Sequence, residues 1–491
     1  MASPAISPRT LAVAAALLTA WPASPARAQP AKPRDNRYGI DVFQGPVLAP
    51  SDVIGIAGAY AGYAEGIAGM VVNAAAPAVR EPLSVSYFTW DFSVSVSIPL
   101  NLFGPRDDFD NSGAAGRDYS DFIYGTVGGV VQYGPFGAGF NAEVQRYSLK
   151  PPEGASGAAT AVTLGKYHAL VAYQLLGDQL MIGAGARIAT LSLVPGDHET
   201  NLTMIGAAPE LGVLVRPDWR PFRIGATARF PVRGGQLIGA STTGAGGVKT
   251  SGGLVLPDDV VLPWEIELGA ALQVGPRPLN PAHIDPRAHE AAMRASFADR
   301  RRARELAATR ELATIADPAA RALRKASLDA GESAQRKIEE VEERRLAQIL
   351  ENDRRARYWG WPREHLLLTL ELLMTGAVTD GVSLQRFLGQ NQAHAEPWLV
   401  GGSGRSVNFS PRFGVETEPL PGRVHTRAGS YYEPSRQQGR VGRQHFTFGL
   451  DARLFTTTWF GLVPAVTYKA QACADFSPRY QSVSLGIGVW H

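Results

Sequence analysis

The run of residues 88–98 alternates strictly between large apolar and polar side chains. Its apolar members are Phe88, Trp90, Phe92, Val94, Val96 and Ile98, and every residue between them is polar. A period of two residues is typical of a β-strand with one apolar and one polar face. The run has about the 9–11 residues that a tilted strand needs to cross a bilayer. Because the same pattern recurs along the chain, we predict a transmembrane β-barrel.

The first 28 residues are typical of a secretory signal peptide. Arg9 supplies a minimal positive start, residues 11–21 form a short apolar core, and Ala26-Arg27-Ala28 is a small-x-small cleavage site. The apolar core is too short to span a bilayer, so we expect cleavage rather than a membrane anchor. The mature chain then starts at Gln29.

The rest of the sequence has no apolar run of about 18 residues, which a transmembrane helix needs. Lipid cannot satisfy the open edges of a sheet, so strands that cross a membrane must close into a barrel. Fourteen segments read as strands: 84–98, 118–133, 136–149, 161–175, 179–194, 203–216, 221–232, 261–275, 363–377, 406–418, 422–432, 443–455, 459–472 and 479–491. We therefore predict an all-β fold, an antiparallel barrel of about 14 strands.

The connections support this count. Short turns, such as Gly134-Pro135, Gly177-Asp178 and Thr456-Thr457-Thr458, follow even-numbered strands, and most connections after odd-numbered strands are longer and more polar. Short periplasmic turns and long outer loops are typical of bacterial outer-membrane barrels. We therefore expect the protein in the outer membrane of a Gram-negative bacterium, with both barrel ends of the chain in the periplasm.

Two further segments do not have the strand pattern. Residues 38–82 are rich in Ala and Gly, too apolar for a linker and too rich in Gly for an isolated helix, so they need an enclosing cavity. A later insert is densely charged, and Asp285-Pro286 and Asp317-Pro318 predict helix starts with proline at the first helical position. The predicted order is signal peptide 1–28, flexible leader 29–37, hatch (plug) 38–82, strands one to eight over 83–276, helical insert 277–360 and strands nine to fourteen over 361–491.

The insert follows an even-numbered strand and is therefore predicted to project into the periplasm. It is either a solvated helical hairpin or, over residues 283–357, a docking surface for a periplasmic protein.

The segment before the first strand resembles the hatch of the FadL-type outer-membrane transporters. Ala57-Gly58-Ala59-Tyr60-Ala61-Gly62-Tyr63-Ala64-Glu65 is similar to the family's Gly-Gly-Ala-Tyr/Phe-x-Ala-x-Ala, and Asn73-Ala-Ala-Ala-Pro77-Ala78 to its Asn-Pro-Ala, with three alanines inserted. The resemblance implies a hatch, including Gly58, Tyr60, Glu65, Asn73 and Pro77, that plugs a fourteen-stranded barrel. It also implies passive uptake of hydrophobic compounds such as long-chain fatty acids. The helical insert is not part of the family pattern.

Charged residues of both signs occupy predicted inward positions, namely Asp91, Glu265, Glu267, Glu371, Asp451, Arg223, Arg229, Arg427 and Arg453. Such charges either pair with one another and hold the plug, or an arginine among them binds a fatty-acid carboxylate, which suits its two-pronged geometry. The candidates for ligand binding are Arg427 and Arg453 first, then Arg223 and Arg229.

Three glycines near the third strand, Gly134, Gly137 and Gly139, predict either a kink where the wall opens sideways or ordinary close packing. A solute would then pass the hatch or leave through this lateral opening.

Other functions find little support. We find no catalytic set and no spacing of metal ligands, and expect neither an enzyme nor a cofactor or metal. Cys473 is the single cysteine, predicted near the last outer loop, so disulfides and Cys/His zinc sites are excluded. A net charge of +3 is too weak to indicate nucleic acid.

The expected partners are a hydrophobic small molecule or fatty acid, outer-membrane lipid, and the barrel-assembly machinery, which would bind the final strand. The alternatives are a structural or secretion-associated scaffold whose insert binds a periplasmic partner, a general porin, which the hatch disfavours, and a soluble secreted β-protein.

Overall fold

The computed structural model describes residues 33–80, 87–100, 108–113, 122–149, 159–195, 202–234, 242–244, 246–251, 254–282, 286–391, 402–457 and 466–490. The strands are β1 Gly39–Asp41, β2 Phe88–Pro99, β3 Ile123–Tyr133, β4 Phe136–Leu149, β5 Thr160–Leu175, β6 Leu180–Pro195, β7 Leu202–Val215, β8 Phe222–Arg229, β9 Val232–Gly234, β10 Thr242–Thr243, β11 Lys249–Ser251, β12 Leu254–Val255, β13 Asp259–Leu262, β14 Glu265–Val274, β15 Leu366–Thr375, β16 Val382–Ser383, β17 Asn408–Leu420, β18 Val424–Glu433, β19 Arg443–Thr457, β20 Val466–Ser477 and β21 Tyr480–Val489. The helices are α1 Ser51–Gly55, α2 Gly66–Met70, α3 Pro286–Thr314, α4 Pro318–Trp359 and α5 Leu384–Leu388, with 3₁₀ turns at Ala76–Ala78 and Gly389–Asn391.

Fourteen strands form one closed antiparallel barrel. Their order around the wall is β14-β15-β17-β18-β19-β20-β21-β2-β3-β4-β5-β6-β7-β8, and β8 pairs with β14 to close the ring. Each barrel strand overlaps one of the fourteen predicted segments, and the predicted fold class is confirmed. We call the end of the barrel that carries Gly134-Pro135 the turn end and the opposite end the loop end.

The alternation in β2 sorts side chains between the two faces of the wall. Val94, Val96 and Ile98 are exposed on the outer face, whereas Ser95 and Ser97 are buried on the inner face. Exposed apolar side chains continue around the barrel, for example Val127, Ile182, Leu370 and Phe448. Such an apolar outer band is the surface that lipid covers in outer-membrane barrels. The predicted location in the bacterial outer membrane follows from this band on a closed barrel.

Residues 38–80 run through the lumen from the loop end to the turn end. At the loop end, β1 lies in a four-stranded sheet of order β16-β1-β13-β9, parallel to β13 and β16. At the turn end, the Arg80 side chain donates to the carbonyl of Gly134 over 3.0 Å. The part of the leader that the structure describes is tied to the outer loops, since Asn36 donates to the carbonyls of Lys249 and Leu256.

The insert folds into two helices, α3 and α4, that lie against each other. The chain enters α4 at Asp317, whose side chain accepts a hydrogen bond of 2.9 Å from the Ala320 amide, while Asp285 lies outside the described residues. Charged pairs join the two helices: Arg304 bonds Glu339 at 2.6 Å and Glu332 at 2.9 Å. The insert joins β14 to β15 and so lies at the turn end. None of the described helices is long and apolar enough to cross a membrane.

One predicted detail differs from the structure. Thr456 and Thr457 pair with Thr467 and Val466, so the turn predicted to begin at Thr456 is wrong and β19 continues to Thr457. The segment that joins β19 to β20, residues 458–465, lies outside the described residues. Threonine is β-branched and suits a strand, so both residues can take part in the ladder.

Candidate functional site: the plugged lumen

An apolar chamber occupies the loop end of the lumen. The inward side chains of β3–β7 at this end are Tyr124, Tyr147, Val162, Leu164, Leu191, Leu193 and Met204, and all are buried. They pack in one cluster with Ile40 of β1 and Val260 of β13. A cavity beside this cluster is lined by apolar residues, among them Phe43, Leu164 and Leu191, and by polar ones, among them Asp41, Glu433 and Arg436. The site thus combines an apolar wall with a few polar groups, as ligand pockets commonly do.

A clasp of loop residues covers the chamber. Phe109 stacks on Phe122 with ring centroids 3.9 Å apart. The neighbouring Asp108 accepts hydrogen bonds from the Ser112 amide at 2.8 Å and the Arg479 side chain at 3.0 Å. Burial alone would raise the pKa of Asp108, but the charge of Arg443 and these hydrogen bonds outweigh it and hold that pKa below its usual value. The Asp108 carboxylate therefore stays ionised, and its hydrogen bonds fix this loop to the barrel wall.

One guanidinium nitrogen in the chamber lacks a partner. Arg436 follows β18, is 9 % exposed and lines the chamber. Its Nε donates to Asp41 at 2.7 Å and its Nη2 to the Gly376 carbonyl at 3.1 Å. Nη1 is buried and has no hydrogen-bond partner among the described residues. An unpaired buried donor costs about 1–3 kcal/mol, so Nη1 is a place for an acceptor oxygen of a ligand. Sequence analysis missed Arg436, because a loop position has no periodicity to mark it.

A layer of ion pairs lies below the chamber. Arg187 bonds Glu265 at 2.7 Å, and Arg229 bonds Glu267 at 2.8 Å. Arg229 also donates to the carbonyl of Val71, a hatch residue, over 2.7 Å. A cavity lies between this layer and hatch residues 43–49 and Val53. Arg229, predicted as a ligand-binding residue, thus contacts the hatch.

Two more of the predicted arginines also hold the hatch. Arg223 is fully buried and bonds Glu65 at 2.6 Å and the Tyr63 carbonyl at 2.9 Å. Arg427 bonds Asp451 at 2.8 Å, Glu416 at 2.5 Å and hatch residue Asp52 at 3.3 Å. Both side chains are saturated with carboxylates or carbonyls. In this conformation both arginines pair with charges and hold the hatch, which leaves no free position for a fatty-acid carboxylate.

Arg453 lies at the rim of the turn end. Its side chain is exposed, donates to the Gly422 carbonyl and lies 5.3 Å from the ring centre of Trp359. Arg453 pairs with Lys469, which bonds hatch residue Asp52, and it lies two residues from the buried Asp451, so it keeps the predicted inward register. Because it lies near the end of β19, its side chain is exposed and does not contact the hatch.

All five predicted hatch residues lie inside the barrel. The amides of Tyr60 and Ala61 donate to Glu371 at 3.0 and 2.8 Å, and Arg412 donates to the Gly58 carbonyl at 3.3 Å. Glu65 bonds Arg223, as described above. Asn73 donates to the carbonyls of Ala61 and Val213, and Gln132 donates to the Pro77 carbonyl at 2.8 Å. Sequence analysis missed Asp52 and Arg412, although their charge among apolar neighbours was a signal.

Close approach of backbones seats the hatch. A Cβ built on Gly212 of β7 would lie 2.4 Å from Asn73 Oδ1, and one on Gly269 of β14 would lie 2.5 Å from the Gly62 nitrogen. Ordinary contacts of a Cβ begin near 3.4 Å. Glycine is therefore required where the hatch backbone touches the wall.

The third strand shows no side opening. β4, which contains Gly137 and Gly139, pairs without a register shift with β3 and with β5. A Cβ on Gly137 would meet the Pro77 carbonyl and one on Gly139 the Met70 sulfur, so both glycines admit the hatch. Gly134 sits in the turn at φ +59°. In this conformation Gly137 and Gly139 serve close packing against the hatch, and the wall has no kink at them.

A third cavity, of about 900 Å³, lies at the turn end beyond the hatch. Its lining combines charged residues, such as Lys469 and Glu416, with aromatic ones, such as Phe92 and Trp490. Cys473, predicted in or near the last outer loop, lies within β20, where it is buried and packs in a cluster with hatch residues. Among the described residues no group of three or more His, Cys, Asp or Glu could hold a metal ion.

No family model and no curated protein matches this sequence. Among solved structures, the chain is similar to the toluene transporter TodX of Pseudomonas putida, with a TM-score of 0.46 and 11 % identity over 92 % of this chain and 99 % of that one. It is also similar to the CymD monoaromatic hydrocarbon channel, with a TM-score of 0.45 and 9 % identity over 90 % and 96 %. Both TM-scores are below 0.5, so the fold rests on the strand pairing itself. The expected architecture of a fourteen-stranded barrel is confirmed by that pairing, and the N-terminal segment lies inside it.

Proposed function

We propose that this barrel carries small hydrophobic molecules passively across the outer membrane. The observation that supports this most is the buried apolar cluster at the loop end of the lumen and the cavity beside it. A general porin needs an open, polar lumen, whereas this lumen holds a hatch seated on the wall. Movement would be driven by the concentration gradient of the solute and would require the hatch to shift.

Long-chain fatty acids are among the proposed solutes. The unpartnered Nη1 of Arg436 would donate a charge-assisted hydrogen bond to one carboxylate oxygen, while the tail lies against Leu164 and Leu191. Of the arginines predicted from sequence, Arg223, Arg229 and Arg427 would become available only if the hatch moved. A neutral aromatic molecule would use the apolar walls alone.

Uptake of two radiolabelled probes, oleate and toluene, tests this proposal. The protein is expressed in a host that lacks carriers for both, and initial rates are compared with those of the empty vector. We expect faster uptake of at least one probe. Arg436→Met should reduce oleate uptake about tenfold or more, in line with about 1.5–3 kcal/mol for a hydrogen bond to a charged group, and leave toluene uptake unchanged. Rates equal to the vector for both probes would refute the proposal.

A matched control uses an arginine outside the lumen. Arg453→Met removes the same charge from an exposed position and should change neither rate. If Arg453→Met and Arg436→Met reduced oleate uptake equally, the effect would come from net charge rather than from the chamber.

The second candidate function is a scaffold that binds a periplasmic protein through residues 283–357. Leu323, Ile338 and Val341 of α4 are 76 %, 59 % and 66 % exposed, and helical geometry places them within one arc of the helix. Replacing residues 286–359 by a short Gly/Ser linker separates the two functions. A transporter keeps its uptake rate after this deletion, whereas a scaffold loses its partner.

Two further partners follow from the barrel. Outer-membrane lipid would cover the apolar band, and the barrel-assembly machinery would bind β21, where Leu485 and Ile487 are exposed. Replacing both residues by serine should slow assembly into the membrane without changing the final fold.

A further inference from the structure

The long helix α4 of the insert has one face against α3 and an opposite face open to solvent. Ion pairs fix the near face: Glu332 and Glu339 of α4 bond Arg304 of α3, and Glu339 also bonds Arg301. Successive residues of a helix are turned by about 100°, so Val341, two positions after Glu339, points about 200° away from it. Val341 therefore lies on the far face of α4 and is 66 % exposed.

A patch of apolar and basic side chains runs along this far face. Ile338 and Ile349 are 59 % and 43 % exposed and share an arc of the helix with Val341. We define the α4 patch as six exposed residues, namely Ala334, Lys337, Ile338, Val341, Arg345 and Ile349. At about 1.5 Å per residue, the patch is about 22 Å long. It matches the length of a helix of about 15 residues.

The charge of the α4 patch is positive. Lys337 and Arg345 lie four residues before and after Val341, and residues at this spacing are neighbours on a helix surface. The acids next to Val341 in sequence, Glu340 and Glu342, point about 100° to either side of it. They lie 3.9 and 4.0 Å from other arginines of the insert. The patch thus presents two cations beside apolar side chains.

The near face of α4 shows how this helix holds another helix. Arg301 of α3 bonds Glu339 at 2.8 Å, and Arg304 bonds Glu332 at 2.9 Å. Phe297 lies on the same face of α3, one turn before Arg301, and is 1 % exposed. The contact between the two helices therefore combines a buried ring with opposite charges. A further helix on the α4 patch would need the same combination with the signs of the charges reversed.

A second copy of this chain does not meet that requirement. In a two-fold pair of parallel α4 helices, each residue lies beside its own counterpart, so Lys337 would face Lys337. In an antiparallel pair centred on Val341, Lys337 would face Arg345. Both arrangements bring like charges together, which is unfavourable.

A lipid surface fits the α4 patch less well. Helices that lie in a membrane interface bury a broad apolar face, typically of Trp, Phe and Leu. The α4 patch has three branched aliphatic residues over four turns, next to Ala334 and two cations. Its apolar area suits the side of one helix.

We propose that the α4 patch binds an acidic amphipathic helix of another periplasmic protein. The insert lies at the turn end, which faces the periplasm in outer-membrane barrels. Apolar side chains of the partner helix would cover Ile338, Val341 and Ile349, and its carboxylates would pair with Lys337 and Arg345. This inference rests on the scaffold function proposed above and names the chemistry of its partner. It does not depend on solute uptake.

Photo-cross-linking of the full-length protein in its native host tests the patch. p-Benzoylphenylalanine replaces Val341 or, as a control of similar exposure on α3, Leu306, which is 59 % exposed. We expect at least tenfold more adduct from position 341. Mass spectrometry should place the cross-link in an acidic helical segment of a different protein. An adduct with lipid or with a second copy, or no adduct from position 341, would overturn the proposal.

Charge reversal makes the result specific. Lys337→Glu with Arg345→Glu should reduce the adduct from position 341 at least tenfold. The matched control, Arg302→Glu with Arg310→Glu, makes the same change of charge at exposed positions of α3 and should leave the adduct unchanged. Equal loss in both variants would overturn the assignment to the patch. A protein that cross-links from Leu306 and not from position 341 would keep the scaffold function and refute the patch.

A binding measurement needs no natural partner. The probes are two fluorescent 16-residue helical peptides with the same leucine face, one flanked by glutamate and the other by lysine. The full-length protein in nanodiscs of neutral lipid should bind the glutamate peptide at least tenfold more tightly, and less tightly as salt is added. Lys337→Glu with Arg345→Glu should reverse this preference. Equal affinities for the two peptides would overturn the proposed chemistry of the partner.

Discussion

The substitution Gly212→Ala should unseat the hatch. Gly212 faces Asn73, and an added Cβ would lie 2.4 Å from Asn73 Oδ1 and 2.7 Å from the amide nitrogens of Ala74 and Ala75. Ordinary contact begins near 3.4 Å, so the hatch backbone must retreat by about 1 Å. The two hydrogen bonds that Asn73 donates, to the carbonyls of Ala61 and Val213, would lengthen with it.

The size of the effect follows from the cost of overpacking. Forcing an extra carbon into a well-packed contact typically costs about 1–3 kcal/mol. If the displaced hatch relieves that strain, the ratio of displaced to seated hatch rises about 5- to 150-fold. The barrel wall itself should keep its stability, because the added methyl meets hatch atoms.

Ion conductance in planar bilayers measures the displaced state. Gly212→Ala should increase the frequency of open events about 5- to 150-fold, and amide exchange of residues 60–75 should accelerate in parallel. Gly125→Ala is the matched control, since Gly125 lies on barrel strand β3 and a Cβ there meets nothing within 4 Å. Equal conductance and exchange in the two variants would refute the view that backbone contact seats the hatch.

Three further predictions address the hatch and the insert. Arg223→Met leaves the partly buried Glu65 without its partner and should lower the free energy of unfolding by about 3–5 kcal/mol, whereas the exposed Arg453→Met should change it by less than about 0.5 kcal/mol in urea titrations. Asp317→Ala removes the N-cap of α4 and should cost about 1 kcal/mol of local stability, seen as faster amide exchange over residues 318–324 but not over residues 340–350. Hydrogen bonds from Arg304 and Arg301 lower the pKa of Glu339 from an ordinary 4.5 to about 2. The Glu339 carboxylate stabilises the insert fully above about pH 4.5, and this stabilisation is lost as the pH falls toward 2. Amide hydrogen exchange in α3 and α4 should therefore become faster over that pH range. Glu339→Gln should remove this pH dependence. If neither lower pH nor Glu339→Gln changed the amide exchange rates of the insert, the stabilising role of this ion pair would be refuted.

The strands were accessible from sequence because each carries its own signal. In β2 the alternation of valine with serine requires only that one face meet lipid and the other the lumen. The same reasoning gave the face of Arg453 but not its exposure, because the stagger of the paired strands sets which residues lie at the rim of the barrel. The residue types at Thr456 and Thr457 are compatible with a turn or a strand, and they form a strand because they pair with β20.

The roles of the inward arginines were beyond the sequence. Arg223, Arg229 and Arg427 are separated from Glu65, Val71 and Asp52 by more than a hundred residues, and no local pattern pairs them. The threading of the hatch through the lumen brings them together. Arg436 could not be identified from the sequence for the same reason, because its unpartnered Nη1 results from the folding of a loop over the chamber.

The sequence by itself determined the membrane-facing alternation, the strand number, the Ala- and Gly-rich hatch segment and the two helix starts, since these depend on neighbours a few residues apart. Only the tertiary structure decided which charges hold the hatch and where an apolar chamber forms. Those properties depend on contacts between distant segments, and closing fourteen strands around a plug creates such contacts only after every strand has found its partner.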